Sequence, residues 1–279
     1  MRPLEIGLCW GSLQRASLLE LIEAAGRHGF PTLSVRPDAV TKALREGLSA
    51  GALRKHLADA GVRVTVIDAI SGALPGQPPY SFDDPGLSLS AGSNEEDCYS
   101  VADAVGAPTV NLTHYRGGPV SGAEIVDAVG AVCRRARARG FQIVLEFIPD
   151  TGLPNIVEAF EVVQAVGEPN CAVLLDPWHL DRSGGTLEDV LRLPPGAIGA
   201  LQLCDRTPPA PGARYVPMSG RDLPGEGRLP LCDLVDAALA NRPGLTAEIE
   251  VFSEELRSLS IDAAAARIAA AVKAWTAGC

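Results

Sequence analysis

The sequence predicts a single (β/α)8 TIM barrel that spans residues 1–279. Short apolar runs typical of buried strands alternate eight times with segments of helical periodicity, and this alternation favours a parallel sheet covered by helices. The length of 279 residues is close to the roughly 250 residues of such a barrel. No stretch of linker composition divides the chain, and it contains no G-x-G-x-x-G or P-loop motif. We therefore expect a closed barrel in place of an open, doubly wound sheet.

The predicted elements follow one another along the whole chain. The strands are expected near 4–10, 32–35, 62–67, 109–113, 143–146, 172–175, 198–202 and 245–250. The helices are expected near 17–29, 39–60, 94–105, 122–140, 155–166, 186–193, 230–240 and 261–275. Ser17 and Glu20 have the spacing of a capping box at the start of the first helix. Two long proline-rich loops, 71–92 and 205–228, are predicted to cover the pocket and to decide specificity.

Composition excludes several classes of partner. The chain is 47% hydrophobic and 21% charged, which is enough apolar residue content for a large core. Its formal net charge of −10 argues against nucleic acid, because phosphate binding needs a surplus of Lys and Arg. No apolar run approaches the ~20 residues of a membrane span, and the N-terminal residues read as a first strand. We predict a cytoplasmic protein with a small-molecule substrate, and a homo-oligomer stays open.

The cysteine pattern predicts free thiols. The seven cysteines are an odd number, and none of them forms a C-x-x-C pair. A reduced protein with buried thiols is the expected state for such a pattern.

Four predicted strands end in a side chain that carries oxygen, namely Glu146, Asp176, Gln202 and Glu250. Because the carboxyl ends of the strands in such a barrel meet at one mouth, we expect these side chains to converge. Three carboxylates at one mouth would repel each other, and a divalent cation is the simplest neutraliser. The set is nearly all oxygen, which favours Mn²⁺ or Mg²⁺ over Co²⁺ or Zn²⁺. The sequence therefore predicts a site for one divalent metal.

Strand parity separates two candidate ligands on the last strand. Glu248 and Glu250 are two residues apart and therefore face the same side. Glu250 is nearer the mouth, so it is the predicted ligand. Glu248 is expected one layer deeper, bonded to an Arg or to a backbone N–H.

The motifs at these strand ends resemble those of the sugar phosphate isomerase/epimerase superfamily, the xylose isomerase-like barrels. The resemblance rests on Val144-Leu-Glu-Phe147, Asp176-Pro-Trp-His179, Glu250-Val-Phe-Ser253 and the loop Arg221-Asp-Leu-Pro-Gly-Glu-Gly227. In that family a Glu ends strand five, a D-x-x-H follows strand six, a His ends strand seven and a Glu ends strand eight. This chain departs from the pattern at strand seven, where Gln202 stands in place of the His.

The resemblance implies roles for individual residues. Glu146, Asp176, Gln202 and Glu250 would hold the metal, and Glu146 with Glu250 would form the acid/base pair. His179 and Arg221 would contact substrate oxygens. From their places near strand ends, His114 and Arg36 are further candidates for substrate binding, and Trp178 is a candidate for the pocket wall.

The leading hypothesis is a metal-dependent isomerase or epimerase of a sugar, cyclitol or related hydroxy-carbonyl compound that works through an enediolate. A dehydratase or lyase of the inosose or dehydroshikimate type would use the same site and the same first step. Because Gln202 replaces a ligand, a degenerate barrel that only binds a small molecule is another alternative. A nuclease like the apurinic endonucleases is disfavoured by the charge of −10 and by only four histidines.

Overall fold

A computed structural model shows eight parallel strands closed into a barrel in chain order, with the last strand paired to the first. It describes residues 4–77, 94–115, 118, 120–208 and 219–279. The strands are β1 Glu5–Cys9, β2 Thr32–Val35, β3 Arg63–Ser71, β4 Thr109–Thr113, β5 Gln142–Glu146, β6 Cys171–Leu175, β7 Ile198–Leu203 and β8 Thr246–Ile249. The predicted (β/α)8 barrel is therefore confirmed.

Helices follow the strands and surround the barrel. They are α1 Leu18–His28, α2 Pro37–Arg45, α3 Ala50–Asp59, α4 Glu95–Val105, α5 Gly122–Ala138, α6 Ile156–Val166, α7 Pro177–Arg182, α8 Leu187–Leu191, α9 Leu231–Asn241, α10 Glu254–Ser258 and α11 Ile261–Gly278. The capping box predicted for α1 is confirmed. The Ser17 hydroxyl accepts the Glu20 N–H, and the Glu20 carboxylate accepts the Ser17 N–H.

Two predicted elements differ from the structure. The single helix expected over 39–60 is two helices, because Gly47 adopts a φ of 101° and Ser49 starts a new helix by accepting the Ala52 N–H. The third strand is longer than predicted and runs through Asp68 to Ser71, with a register shift against β4 between Ile67 and Ile70. Asp68, which directly follows the predicted strand 62–67 and was expected at its tip, therefore lies inside the strand.

The apolar core has two parts, a large one that joins strands and helices and a smaller one inside the barrel. The inner cluster consists of Val66, Val144, Ala172, Leu174 and Ala200. Because alternate residues of a barrel strand face inward, the next inward position of β5, β6 and β7 belongs to Glu146, Asp176 and Gln202. Along these three strands the interior is thus apolar in the middle and polar at the mouth.

One pair of cysteines corrects the expectation of free thiols. Cys232 on α9 and Cys279 after α11 form a disulfide with their Cα atoms 5.7 Å apart. The other five cysteines are unpaired. The two cysteines are 47 residues apart, and nothing in the sequence indicates that they meet. The tertiary fold brings them together.

Two further predictions concern surfaces. Residues 78–93 and 209–218, which form much of the two predicted covering loops, lie outside the described residues, so their role stays a prediction. Among the described residues, no helix combines the length and the apolar character that a membrane span requires.

Candidate metal centre

The structure brings the four predicted ligands together at the carboxyl end of the barrel. The side chains of Glu146, Asp176, Gln202 and Glu250 are all buried. Gln202 Nε2 donates to Glu250 Oε1 at 3.1 Å. Glu250 and Asp176 are joined through Arg221, whose Nη1 lies 3.1 Å from Glu250 Oε2 and 2.7 Å from Asp176 Oδ2. Residues from four strands therefore converge on one cluster.

Asp176 is oriented by the short helix that follows it. Pro177 occupies the first position of α7, where its missing N–H costs no hydrogen bond. Asp176 Oδ1 accepts the N–H of Trp178 at 2.7 Å and that of His179 at 3.4 Å, so it caps the helix. The D-x-x-H spacing thus fixes the carboxylate and leaves Oδ2 as the oxygen that faces the cluster.

His179 lies among the carboxylates. Its Nε2 is 3.2 Å from Glu146 Oε1 and 3.7 Å from Asp176 Oδ2. One ligand atom from each of these three residues falls within 4.8 Å of the others. His179, predicted as a substrate contact, is therefore also placed to offer a nitrogen to a metal.

Arg221 is the cation of the cluster and is fully buried. Its guanidinium stacks over the Trp178 ring at 4.9 Å, and the Trp178 Nε1–H donates to the Gly220 carbonyl at 3.2 Å. Burial alone would raise the pKa of Asp176, but Arg221 and then His179 outweigh burial and hold that pKa below its ordinary value. Trp178, predicted as a pocket wall, packs behind Arg221.

The pKa of Glu250 is shifted in the opposite direction to that of Asp176. Burial raises the pKa of Glu250 well above its ordinary value, and Arg221 only partly offsets this. The carboxylates Asp68, Glu146 and Asp176 push the pKa further up by repulsion. Burial and the three neighbouring carboxylates together outweigh the effect of the one guanidinium on this pKa.

The sequence pattern did not single out Asn111, which links two carboxylates. Its Nδ2 donates to Asp68 Oδ1 and to Glu146 Oε2, both at 2.7 Å. Trp10 Nε1 donates to Asp68 Oδ2 at 2.9 Å. Burial, followed by repulsion from Glu146, raises the pKa of Asp68 to about 6. The one signal available in the sequence was a polar residue inside an otherwise apolar strand.

Cys9 was also missed. Its thiol is buried at the end of β1 and donates to Glu250 Oε1 at 3.3 Å. Nothing in the chain near Cys9 indicates this contact, because the pairing of β1 with β8 brings the two residues together across 241 positions.

Two predicted substrate contacts have other partners in the structure. His114 Nδ1 accepts the Gly152 N–H and its Nε2–H donates to the Pro75 carbonyl, both at 2.7 Å. Burial lowers the pKa of His114, so a neutral ring joins these two loops and has no nitrogen left for a substrate. Arg36 pairs with Asp38 through two hydrogen bonds of 2.8 and 2.6 Å. Its guanidinium also stacks over the Trp10 ring at 4.9 Å.

The residues present fit a divalent metal. Arg221 contacts Asp176 and Glu250, while the third carboxylate, Glu146, contacts His179, and a divalent ion would balance the remaining negative charge. Gln202 Oε1 is buried and accepts no hydrogen bond, so this oxygen is available as a metal ligand. Carboxylate and amide oxygens are ligands that hard divalent ions prefer.

These features define a (β/α)8 barrel with a carboxylate-rich mouth. The profile of the family described as "Xylose isomerase-like TIM barrel" matches residues 22–277, and the chain belongs to that family. It is 26% identical over 236 residues to a Streptomyces coelicolor protein named "Putative hydroxypyruvate isomerase", which covers 78% of this chain and 80% of that one. It is also 26% identical over 131 residues to the "Inosose isomerase" of Halalkalibacterium halodurans, which is 46% of each chain.

Among solved structures, the barrel is similar to that of the IolI protein with a bound zinc atom. The TM-score is 0.79, the sequence identity is 18%, and the match covers 96% of each chain. At a sequence identity of 18%, this similarity shows a shared fold and no more. The named relatives are isomerases, and the buried carboxylate and histidine groups of this chain could bind a metal.

Proposed function

We propose that this protein is a divalent-metal-dependent isomerase or epimerase of a sugar, cyclitol or related hydroxy-carbonyl compound. The observation that carries the proposal is the burial of Glu146, Asp176, Gln202 and Glu250 together at the barrel mouth, where Arg221 contacts Asp176 and Glu250. The isomerase names of its relatives support the same reaction class.

Four residues would hold the metal, namely Glu146, Asp176, Gln202 and Glu250. Their oxygen-rich donor set favours Mn²⁺ or Mg²⁺, with Co²⁺ or Zn²⁺ as the alternatives because His179 can add a nitrogen. When bound, the ion would act as a Lewis acid that polarises the substrate carbonyl.

The chain's own carboxyl groups would move the proton. Glu146 and Glu250 belong to β5 and to the end of β8, which are not neighbours in the barrel, so the two groups approach the centre from different sides. One of them would take the proton next to the carbonyl, and the other would return a proton to the opposite carbon or face. Asn111 holds Glu146 in place by donating to its Oε2.

Two buried donors would orient the substrate. Arg221 Nη2 and His179 Nε2 lie 3.4 Å apart beside the carboxylates. Arg221 can donate to hydroxyl or carbonyl oxygens, and His179 Nε2 can do so when it carries the ring proton. The positions of these groups in the metal-bound centre would set which carbon faces Glu146 or Glu250. The cytoplasmic location and the restriction to small-molecule partners stay predictions from the sequence.

Proton exchange with solvent tests this function most directly. Metal-loaded protein would be incubated in D₂O with ketoses, inososes and dehydroshikimate-like acids, and proton NMR would follow both deuterium entry beside the carbonyl and the products. We expect exchange together with an isomer or epimer of one of these compounds, and loss of both in Glu146→Gln. A dehydrated product would assign the dehydratase alternative. If none of the compounds exchanges a proton and no metal binds after soaking in Mn²⁺, the remaining alternative is a barrel that only binds a small molecule.

A further inference from the structure

Arg221 occupies the space between two of the proposed metal ligands. Its Nη1 lies 2.7 Å from Asp176 Oδ2 and 3.1 Å from Glu250 Oε2, and its side chain is 2% exposed. The same nitrogen lies 3.3 Å from the Glu250 carbonyl oxygen. A single positive group thus holds both carboxylates.

This position conflicts with a metal at the same oxygens. Asp176 Oδ1 accepts two backbone N–H groups of α7, so Oδ2 is the oxygen of Asp176 left to a metal. Arg221 Nη1 already lies on that oxygen. A metal that shared Asp176 Oδ2 and Glu250 Oε2 at about 2.0–2.6 Å would compete for the oxygens that Nη1 contacts at 2.7 and 3.1 Å. Repulsion between the two cations adds to this competition.

Several buried polar atoms of the described residues lack a hydrogen-bond partner, among them Asn111 Oδ1, His179 Nδ1, Gln202 Oε1 and Arg221 Nε at the mouth, and the last two bear on the metal. The Arg221 Nε–H has no hydrogen-bond acceptor, and Gln202 Oε1 has no donor. Buried polar groups without partners are rare and cost free energy. A metal on Gln202 Oε1 would satisfy that oxygen, and a shifted guanidinium could place Nε–H against an acceptor. Both unsatisfied atoms therefore point to a second arrangement of the same residues.

We propose that Arg221 is the counter-cation of the metal-free centre and that it competes with the divalent metal for Asp176 and Glu250. The inference rests on the proposed function and adds a regulation of the same site. When the metal binds, the guanidinium leaves the two carboxylates, and its donors become available to substrate oxygens. Metal therefore binds before substrate, and the metal-free protein keeps its carboxylates paired.

Metal titration of three full-length proteins tests the competition. Wild type, Arg221→Gln and Arg206→Gln would be stripped with a chelator and titrated with Mn²⁺ by calorimetry. Arg206 is the matched control, because it belongs to the same βα connection but pairs with Asp181 at 2.5 Å. We expect Arg221→Gln to bind Mn²⁺ at least about tenfold more tightly than wild type, because a competing cation is gone. Arg206→Gln should stay within about twofold of wild type.

The wild-type protein provides a second readout that does not depend on the folding of the glutamine variant. The arginine Nε–H signals would be recorded by ¹H–¹⁵N NMR during titration with diamagnetic Mg²⁺. The Arg221 signal is identified by its absence in Arg221→Lys. We expect this signal to shift with the same midpoint as metal binding, because the guanidinium changes partners.

The outcomes separate the inference from the proposed function. Equal or weaker Mn²⁺ binding by Arg221→Gln, or an Arg221 signal that stays unchanged while metal binds, would overturn the competition and leave the metal enzyme in place. If neither wild type nor Arg221→Gln binds any divalent ion, the proposed function fails, and the inference fails with it.

Discussion

The barrel interior and the barrel mouth each bury a carboxyl group from the same stretch of chain, and the two groups have different partners. Inside the barrel, Glu248 Oε1 accepts hydrogen bonds from the hydroxyls of Thr65 at 2.6 Å and Thr246 at 3.1 Å. At the mouth, two residues later, Glu250 contacts the guanidinium of Arg221 and lies close to other carboxylates. The predicted Arg or backbone partner of Glu248 is thus replaced by hydroxyl groups.

Partners, and not burial, distinguish the surroundings of Glu248 from those of Glu250. Burial raises the pKa of both groups. For Glu248 the hydroxyls of Thr65 and Thr246 donate hydrogen bonds that oppose the shift, and the charge of Arg63 opposes it less strongly. For Glu250 other charges enter, which makes the group responsive to any cation that arrives.

The largest expected effect on metal binding and activity is that of replacing Glu250, but not Glu248, by glutamine. Glu250→Gln removes a charged ligand, so we expect loss of bound metal and a fall in the isomerase rate of about 10²–10⁴-fold. Glu248→Gln is the matched control and should keep its metal, because its partners are hydroxyls. Elemental analysis of the purified proteins measures both. Equal metal contents in the two variants would show that depth in the barrel does not separate their roles.

Substitution of Asn111 tests whether the carboxylates at the mouth need a neutral hydrogen-bond donor, as Glu248 does in the interior. Asn111→Ala removes the bridge between Asp68 and Glu146, and the two carboxylates then repel each other without a shared donor. Residues that orient metal ligands are worth about 10–100-fold in metal affinity, and we expect a loss of that size by calorimetry. Asn170→Ala is the control, because Asn170 is also buried but donates to the carbonyls of Cys133 and Phe141. A similar loss of affinity in both variants would point to general destabilisation.

Substitutions of Gln202 test whether the ligand atom at this position sets which metal the mouth prefers. Gln202→His restores the family's residue and supplies an imidazole nitrogen, which favours Zn²⁺ over Mg²⁺. We expect the ratio of Zn²⁺ to Mg²⁺ affinity to rise by about tenfold in competition calorimetry. Gln202→Leu, which offers no ligand, should weaken both ions. An unchanged ratio in Gln202→His would mean that position 202 does not reach the metal.

The smallest effect concerns the interior. Because the pKa of Glu248 is higher in the folded than in the unfolded protein, its contribution to stability is complete below an unfolded value of 4.5. That contribution is lost as pH rises through the folded value. Glu248→Gln removes this dependence. We expect its Tm to equal that of wild type near about pH 4 and to exceed it by about 2–4 °C near about pH 8, the shift that about 1 kcal/mol produces. Thermal unfolding followed by circular dichroism measures this, and a Tm difference that is independent of pH would contradict it.

The local signals of the chain were sufficient for the architecture. The alternation of strands and helices predicted the barrel, and their place at the ends of predicted strands put Glu146, Asp176, Gln202 and Glu250 at one mouth. Local pattern failed where a single residue interrupts a helix, as at Gly47, and where a strand continues through a polar residue, as at Asp68. In both places backbone geometry and strand pairing overrode the apolar pattern.

By itself, then, the sequence determined the barrel, the D-x-x-H turn that fixes Asp176 and the identity of the oxygen donors, because each depends on residues close together in the chain. Only the tertiary structure placed Arg221 between Asp176 and Glu250, Asn111 between Asp68 and Glu146, and Cys232 against Cys279. Those contacts join residues separated by 29 to 47 positions. Their partners are chosen by barrel closure, and so is the balance of charge on which the proposed chemistry depends.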